Sequence, residues 1–243
     1  MGESMRINRF LAWAGVASRR EADKLVRAGR VNINGEIVDA VGVSIDLQSD
    51  KVFVDGRRID PPVAKTIIFH KPAGYLVSRR SQGGKPLIFS LLPAELQGLQ
   101  PVGRLDFDTD GVLLLTNDGE LSRRLQHPRY RIERVYHATV RQAPETDRIR
   151  QIRFGVNLGD KTPARADLRI LRTGKRESVV EIRIREGRKR EVKRLLAWAG
   201  TPVLRLTRKS FAGLETGQLT PGRFRTLRRG EINKLRAMVG LVD

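Results

Sequence analysis

The stretch Gly103-Arg-Leu-Asp-Phe-Asp-Thr-Asp-Gly-Val-Leu-Leu-Leu115 joins an acidic polar loop directly to a fully apolar run. Residues 112–115 have the length of a strand, and Asn117-Asp118-Gly119 ends the run. A short continuous apolar run bounded by turn signals is typical of a buried strand. The sequence therefore predicts a buried strand that follows a turn with three aspartates, Asp106, Asp108 and Asp110.

The same aspartates match the first six positions of a calcium-binding EF-hand loop, but the match ends there. The twelfth position, which needs a bidentate Glu, is Asn117, and residues 112–115 have no side-chain oxygen. Asp108 and Asp110 are interpreted as turn residues that cap backbone amides. A carboxylate can also attack an electrophilic carbon without a cofactor, and the sequence has neither a phosphate-binding loop nor histidines at metal-ligand spacing.

Outward from this stretch, strands and helices mix without a regular βαβ order. Alternating patterns predict strands at 66–70, 135–140, 168–171, 179–184 and 203–206. Amphipathic patterns predict helices at 120–125, 191–199 and 231–239. The expected fold class is α+β, with a small module in front of a larger domain built on a mainly antiparallel mixed sheet flanked by helices.

The front module has its own start and stop signals. Residues 6–14 predict a short helix, and Ser18-Arg-Arg-Glu21 is a capping box that opens a second one. Asn34-Gly35 predicts a tight hairpin turn. Asp60-Pro61-Pro62 continues neither helix nor sheet easily, so the predicted domains are 1–60 and 66–243, joined by a linker at 61–65.

The net charge of +20 and the pI of about 11.3 predict a polyanionic partner, with nucleic acid as the first candidate. A membrane is disfavoured because there is no long apolar run and no basic amphipathic anchor. The absence of cysteine excludes disulfides and thiolate chemistry, and it suits a cytoplasmic location.

The front module has a basic face that can be interpreted as a solvated surface, a phosphate-binding surface or a DNA-binding helix-turn-helix. No third core helix follows, which disfavours the last of these. The segments Arg6-Ile-Asn-Arg-Phe-Leu11, Ala14-Gly-Val-Ala-Ser-Arg-Arg-Glu-Ala22 and Arg27-Ala-Gly-Arg-Val-Asn-Ile-Asn-Gly35 resemble the S4-like (αL) RNA-binding domain. This resemblance predicts RNA contacts by Arg6, Arg9, Ser18, Arg19, Arg20, Lys24, Arg27 and Arg30.

The remainder resembles the ribosomal pseudouridine synthases that have an αL domain in front. Gly103-Arg-Leu-Asp106 with Thr109-Asp-Gly-Val-Leu-Leu-Leu-Thr-Asn-Asp-Gly-Glu-Leu121 carries the resemblance. Further matching segments are Lys71-Pro-Ala-Gly74, His127-Pro128, Arg134-Val-Tyr136, Glu186-Gly-Arg-Lys-Arg-Glu-Val-Lys-Arg-Leu195, Pro221-Gly222 and Arg225-Thr-Leu227.

The resemblance implies a role for each matching residue. Asp106 would be the catalytic aspartate, and Lys193 would pair with it and keep it ionised. Arg104 would enter the RNA stack and help to hold the target nucleotide flipped out, unless it forms a salt bridge on the loop. Tyr136 would stack on the uracil and could abstract a proton, unless it is a core aromatic.

The resemblance also concerns the basic segment, residues 186–195. Arg188 and Arg190 are expected to contact RNA. The family often has Lys at Arg134 and Gln at Glu191, and Glu191 need not compete for Lys193 if the segment is helical there.

The resulting hypothesis is an isomerase that converts a uridine of ribosomal RNA, or of a pre-ribosomal particle, to pseudouridine. Overall resemblance favours the large-subunit rRNA over the small-subunit rRNA. The expected protein is a monomer without metal or small-molecule cofactor, since no redox change occurs. The alternatives are a non-catalytic RNA-binding ribosome-assembly factor and, less favoured, a DNA-binding regulator.

Overall fold

The computed structural model describes residues 4–241, so the outermost ends of both predicted domains lie outside the described residues. The chain forms two compact units, of which the first ends at Ala64 and the second begins at Lys65. Each unit has its own hydrophobic core.

The first unit contains two short helices and six three-residue strands. In chain order they are β1 (Ser4–Arg6), α1 (Ile7–Trp13), α2 (Arg19–Arg27), β2 (Val31–Ile33), β3 (Glu36–Val38), β4 (Ser44–Asp46), β5 (Val52–Val54) and β6 (Arg57–Ile59). Four strands form an antiparallel sheet in the order β3-β2-β5-β6, while β1 and β4 form a separate antiparallel pair.

Local sequence signals explain much of this unit. The Ser18 hydroxyl accepts the Glu21 amide at 3.3 Å, and the Glu21 carboxylate accepts the Ser18 amide at 2.9 Å, so the predicted capping box opens α2. Asn34 and Gly35 both have positive φ, as the predicted hairpin turn between β2 and β3 requires. The sequence does not predict β1, β4 or β6, because each of them has only one apolar residue and so shows no hydrophobic pattern.

The second unit is larger and contains more regular elements. They are β7 (Thr66–Lys71), β8 (Gln100–Pro101), β9 (Thr109–Thr116), α3 (Gly119–Gln126), β10 (Arg134–Val140), α4 (Thr146–Phe154), β11 (Asp167–Arg172), β12 (Ser178–Ile184), α5 (Glu191–Trp198), β13 (Val203–Phe211), β14 (Leu214–Glu215), β15 (Phe224–Thr226) and α6 (Arg229–Met238). Short 3-10 turns cover Ile88–Leu91, Ala94–Leu96 and Pro128–Tyr130.

Within residues 65–241, nine strands form one mixed sheet. Its main order is β11-β12-β10-β13-β9-β7-β15, with β14 beside β13 and β8 beside β9. All of these pairs are antiparallel except β9 with β13. The predicted α+β class with a mainly antiparallel mixed sheet is therefore confirmed.

Strand β9 is buried on both faces, as its apolar run predicts. Leu113 and Leu115 belong to the core that also includes α5, whereas Val112 and Leu114 belong to the core beneath α3 and α6. Alternate residues of a strand point to opposite faces, so residues 112–115 divide between two cores. This double burial fixes the register of the strand and thus the place where the aspartates before it emerge.

Gly111 is the residue of β9 that pairs with strands on both sides. Residues 109–111 run parallel to residues 206–208 of β13, and from Gly111 onward β9 pairs with β7. A Cβ added to Gly111 would lie 2.2 Å from the carbonyl oxygen of Arg208, and its φ is +109°. Only glycine fits this approach of two backbones without a shift.

Three expectations about the second unit need correction. Asp110 is a residue of β9 rather than of a turn, because Asp110 pairs with Thr207 of β13 across the sheet. Strand β13 runs to Phe211 rather than ending at 206, since its charged second half still pairs with β10. Helix α4 was not predicted, because its exposed basic residues obscure a single buried position, Ile152.

Candidate active site

Asp106 lies in a turn immediately before β9, and residues 106–109 are called the aspartate turn below. The Thr109 amide donates to the Asp106 carbonyl at 3.1 Å and closes this turn. On its N-terminal side, the Val102 amide donates to the Leu114 carbonyl at 2.8 Å. The Asp106 side chain is 40% exposed and lines a cleft at the end of the sheet.

A buried lysine holds the backbone of the aspartate turn. Lys71 is fully buried, and its Nζ donates to the carbonyls of Thr109 at 2.8 Å, Pro72 at 3.0 Å and Phe107 at 3.4 Å. The Gly74 amide also donates to the Phe107 carbonyl, at 2.7 Å. The segment Lys71-Pro-Ala-Gly74 therefore positions the turn through its main chain, a role that sequence reasoning did not assign.

Burial has a large effect on this lysine. It lowers the pKa of Lys71 to about 8, although the negative charges of Asp110, Asp108 and Asp106 oppose the shift. A buried ammonium group is costly unless polar partners compensate it, and the three carbonyls are those partners.

Lys193, on α5, approaches two of the aspartates from the other side. Its Nζ lies 2.5 Å from Asp108 Oδ1 and 3.8 Å from Asp106 Oδ2. The structure therefore brings Lys193 beside Asp106 as predicted, but the shorter contact is with Asp108. Burial alone would raise the pKa of Asp108, yet the hydrogen bond and charge of Lys193 outweigh it and lower that pKa. Asp108 is thus a turn residue with a charged partner as well.

Glu191 does not compete for Lys193. Helix α5 begins at Glu191, and the side chain of this residue is buried and accepts the Arg188 amide at 3.1 Å. Burial raises the pKa of Glu191, and the amide of Arg188 partly opposes this effect. The helical interpretation of this segment separates the two residues, as the sequence argument required.

Tyr136 and Arg104 occupy different parts of the same cleft. Tyr136, on β10, is 8% exposed, contributes to the core and lines the cleft, so the two interpretations of it are compatible. Arg104 is exposed at the rim. Among residues 4–241 Arg104 forms no salt bridge, so the alternative role as an ion-pair residue of the loop has no support there.

Two buried arginines form the inner end of the cleft, and sequence reasoning gave neither of them a role there. Arg134 on β10 is 7% exposed and Arg208 on β13 is 3% exposed. Their guanidinium carbons lie 5.3 Å and 5.0 Å from the ring centre of Phe211. Nothing in the local sequence signals this burial, because it arises from strands far apart in the chain.

Of the two predicted RNA contacts in the basic segment, only Arg190 is exposed. Arg188 instead uses its guanidinium within the chain. It donates to Thr162 and Pro163 and forms salt bridges with Asp160 and Glu186. These contacts engage the donors that an RNA phosphate would need.

The predicted RNA-binding residues of the first unit also differ from one another. Ser18 uses its hydroxyl in the helix cap, and Arg30 forms a bidentate pair with Asp55. The exposed side chains are Arg6, Arg19, Arg20, Lys24, Arg27 and Arg30, whereas Arg9 is half-buried. Arg20, Lys24 and Arg27 have helical spacing on α2 and form what is called the basic stripe below.

Two features are absent from residues 4–241. No group of three or more side chains has the arrangement of a metal site. In the same range, no helix combines the length and apolar character that crossing a bilayer requires.

Comparison with protein families gives two matches that divide the chain. Residues 65–198 match the family described as RNA pseudouridylate synthase, and residues 5–47 match the S4 domain. The first match covers the aspartate turn, Tyr136 and Lys193, and the second covers the basic stripe.

Individual proteins are similar over almost the whole chain. An uncharacterized RNA pseudouridine synthase of Aquifex aeolicus is 42% identical over 98% of this chain and 96% of its own length. The ribosomal large subunit pseudouridine synthase B of Bacillus subtilis is 36% identical over 96% of both chains. A crystal structure of a pseudouridylate synthase superposes with a TM-score of 0.68 at 32% identity, covering 95% of this chain and 99% of that one.

Proposed function

The chain belongs to the RNA pseudouridylate synthase family, an RNA isomerase family, and from that premise we propose that it converts one uridine of large-subunit ribosomal RNA to pseudouridine through Asp106. The rRNA substrate is proposed from the name of the Bacillus subtilis relative, which aligns over 96% of both chains. The S4 domain in the first unit supports an RNA substrate independently of that name.

One observation carries the assignment of Asp106. Its carboxylate is partly exposed in a cleft, while Lys71 and Lys193 position the turn that bears it from opposite sides. A nucleophile must be held in place and remain accessible to its substrate, and this arrangement supports both conditions. Asp108 has the same lysine partner, but its side chain is 67% exposed and lies outside the cleft lining.

The chemistry needs rearrangement but no net change of composition. The bond from C1′ of the ribose to N1 of uracil breaks, the base turns, and C1′ bonds to C5. The proton on C5 leaves, and N1 gains one. The product has the same atoms and oxidation state as uridine, so the proposed reaction needs no redox partner.

The remaining cleft residues have proposed roles around that reaction. A base inside folded RNA must leave the stack to reach Asp106, and the exposed Arg104 at the rim would fill the space it leaves. Tyr136 would stack on the uracil and is the group assigned to proton abstraction at C5. Arg190 and the basic stripe would contact phosphates.

The test compares Asp106→Asn with Asp108→Asn on rRNA transcripts labelled with tritium at C5 of uridine. Loss of the C5 proton releases tritium, so the label follows formation of the new C–C bond. We expect Asp106→Asn to reduce release by at least about 10⁴-fold, a loss typical of removing a nucleophile. The Asp108→Asn control removes a carboxylate that has the same lysine partner, and it should retain most of the activity.

Each other outcome has a defined meaning. Tritium release by Asp106→Asn at near the wild-type rate would disprove the proposed chemistry. Release from small-subunit transcripts alone would correct the substrate. If wild type modifies neither rRNA but binds both, the protein is an RNA-binding assembly factor. Mapping pseudouridines in a strain that lacks the gene would identify the target uridine.

A further inference from the structure

The inner end of the cleft lies where β9 and β13 separate. The two strands pair over three residues on each side, ending at Gly111 and Arg208. Beyond this point β9 pairs with β7, whereas β13 continues beside β10 to Phe211. Thr109 of β9 and Leu206, Arg208 and Phe211 of β13 line the cleft that contains Asp106 and Tyr136.

Arg208 reaches from β13 to β9 with its side chain. Its Nε donates to the carbonyl of Val112 at 2.7 Å, one residue beyond the end of the backbone ladder. Its Nη2 is buried and has no hydrogen-bond partner among residues 4–241. The hydroxyl of Thr109, which lines the same cleft, is also buried without a partner in that part of the chain.

Arg134 adds a second positive charge beside the first. Its Nη1 donates to the Ile132 carbonyl at 2.8 Å, and its Nη2 lies 3.5 Å from the Leu125 carbonyl. Burial lowers the pKa of Arg134, and the charge of Arg208 acts in the same direction. Within residues 4–241, neither arginine has a carboxylate oxygen within 4.0 Å.

Two like charges at one buried site are costly, and so is a buried donor without an acceptor. Each condition is relieved when an oxygen with negative charge enters the cleft. A guanidinium is well suited to such an oxygen, because its planar N–H groups have a fixed direction and remain charged at neutral pH.

We propose that Arg208, supported by Arg134, donates a hydrogen bond to a carbonyl oxygen of the flipped uracil and stabilises the negative charge that develops on it during the reaction. This inference rests on the proposed function. It adds an electrostatic group to the nucleophile already assigned, in the manner of an oxyanion hole.

Both possible attacks of Asp106 produce this charge. Attack on C1′ breaks the bond to N1, and the electron pair stays on uracil, delocalised over O2 and O4. Attack on C6 moves the C5–C6 π electrons toward C5 and O4. In either case Nη2 stabilises the charge by hydrogen bonding, no proton is transferred to the oxygen, and the charge leaves it when C5 bonds to C1′.

The depth of Arg208 favours a base carbonyl over a phosphate as its partner. Arg208 is 3% exposed, whereas Arg190, which is proposed to contact phosphates, is exposed at the rim. The uracil must enter the cleft for Asp106 to reach either carbon, while the backbone phosphates stay with the rest of the RNA. Arg208 therefore lines the cleft that the base is expected to enter.

The test uses single-turnover tritium release and RNA binding, with Arg208→Gln compared against Arg205→Gln. Arg205 is an exposed residue of the same strand, so its variant loses the same charge outside the cleft. We expect Arg208→Gln to slow the single-turnover rate by on the order of 100-fold, as removal of one oxyanion donor does. Its RNA dissociation constant should stay within twofold of the Arg205→Gln value.

Substrates with sulfur in place of O2 or O4 separate this role from a structural one, because sulfur is a weak hydrogen-bond acceptor. For the oxygen that Arg208 contacts, we expect sulfur to slow wild type at least tenfold and Arg208→Gln less than threefold. Equal slowing of both enzymes by each sulfur substitution would overturn the inference, since a structural role predicts it. If Arg208→Gln melts below the assay temperature, Arg208→Lys replaces it.

Two further results would also overturn the inference. A single-turnover rate of Arg208→Gln within threefold of the Arg205→Gln rate would show that Arg208 does not assist the reaction. A dissociation constant that rises more than fivefold above that of the control would assign Arg208 to a phosphate. Failure of wild type to release tritium would instead refute the proposed function itself, and this inference with it.

Discussion

The first unit and the cleft of the second unit both depend on positive side chains, but they place them in opposite environments. On α2 the basic stripe is exposed and the core beneath it is made of apolar residues. In the cleft, Lys71, Arg134 and Arg208 are buried, and backbone carbonyls accept hydrogen bonds from them.

This difference suggests two separate roles, attraction of RNA by the exposed charges and stabilisation of the reaction by the buried ones. Exposed charges act over the Debye length and weaken as salt increases, which suits the capture of a polyanion. Buried charges are screened much less, cannot reorient freely and cost free energy, which suits the stabilisation of a charge that appears only during a reaction. The two sets of residues should therefore respond differently to mutation, pH and salt.

The largest expected effect comes from Gly111→Ala, which should destabilise the second unit alone. The new Cβ would lie 2.2 Å from the Arg208 carbonyl oxygen at a φ of +109°. We expect a loss of about 3 kcal/mol or more of unfolding free energy, because overpacking and backbone strain act together. The two tryptophans, Trp13 and Trp198, report one unit each by fluorescence during urea unfolding.

Single-tryptophan backgrounds make that measurement specific. In a Trp13→Phe background, Gly111→Ala should lower the urea midpoint of Trp198. In a Trp198→Phe background, the midpoint of Trp13 should not change. If the urea midpoint reported by Trp198 is the same with and without Gly111→Ala, the proposed effect of the added Cβ is wrong.

The second prediction concerns pH and Lys71. Its pKa is about 8 in the folded protein and about 10.5 in an ordinary lysine, so the unfolded chain binds more protons between these values. Stability conferred by Lys71 therefore rises with pH across this window, by at most about 1.4 kcal/mol per pH unit. The unfolding free energy of wild type relative to Lys71→Met should increase from pH 8 to pH 10.

Trp198 fluorescence in urea measures this difference, and other titrating groups largely cancel in it. Lys65→Met provides the control, because Lys65 is exposed. The difference in unfolding free energy between wild type and Lys71→Met should rise with pH more steeply than the difference between wild type and Lys65→Met. A difference that does not rise with pH, or rises no more steeply than the control, would contradict a buried charged lysine beneath the aspartate turn.

The smallest expected effect comes from the basic stripe. Changing Arg20, Lys24 and Arg27 together to Gln should weaken RNA binding by roughly tenfold at moderate salt. The slope of log K against log salt concentration should become shallower by about two. The single-turnover rate at saturating enzyme should stay within twofold of wild type. Filter binding across a salt series measures the first effect, and tritium release measures the second.

Arg30→Gln provides a comparison within the first unit. Arg30 is already paired with Asp55, so its removal should change RNA affinity less than removal of Arg27 does. If the triple variant slows the saturated reaction as strongly as a cleft variant, the basic stripe does more than bind RNA and the two roles are not separate.

Much of the scaffold could be predicted because its signals are local. The capping box at Ser18, the turn at Asn34-Gly35 and the apolar run at 112–115 each report a structure within a few residues. Strand β4 and helix α4 could not be predicted in this way. Strand β4 has one apolar residue, Ile45, and helix α4 has one fully buried residue, so neither shows a repeating hydrophobic pattern.

The candidate site was predictable only in part. Resemblance led to Asp106, Tyr136 and Lys193, and the structure brings all three to one cleft. The resemblance could not reveal that Lys193 lies closer to Asp108, or that Arg208 is buried. Those facts depend on contacts between residues 85 and 96 positions apart in the chain, for which no local pattern exists.

The parallel pairing that ends at Gly111 also has a consequence for the order of folding. The cleft around Asp106 is completed only after β13, synthesised about a hundred residues later, docks beside β9. Closing so long a loop costs entropy before any contact compensates it, so such pairings form slowly. The first unit has mostly short-range pairings and leaves the ribosome first. A nascent chain would thus gain its proposed RNA-binding surface before its proposed catalytic site.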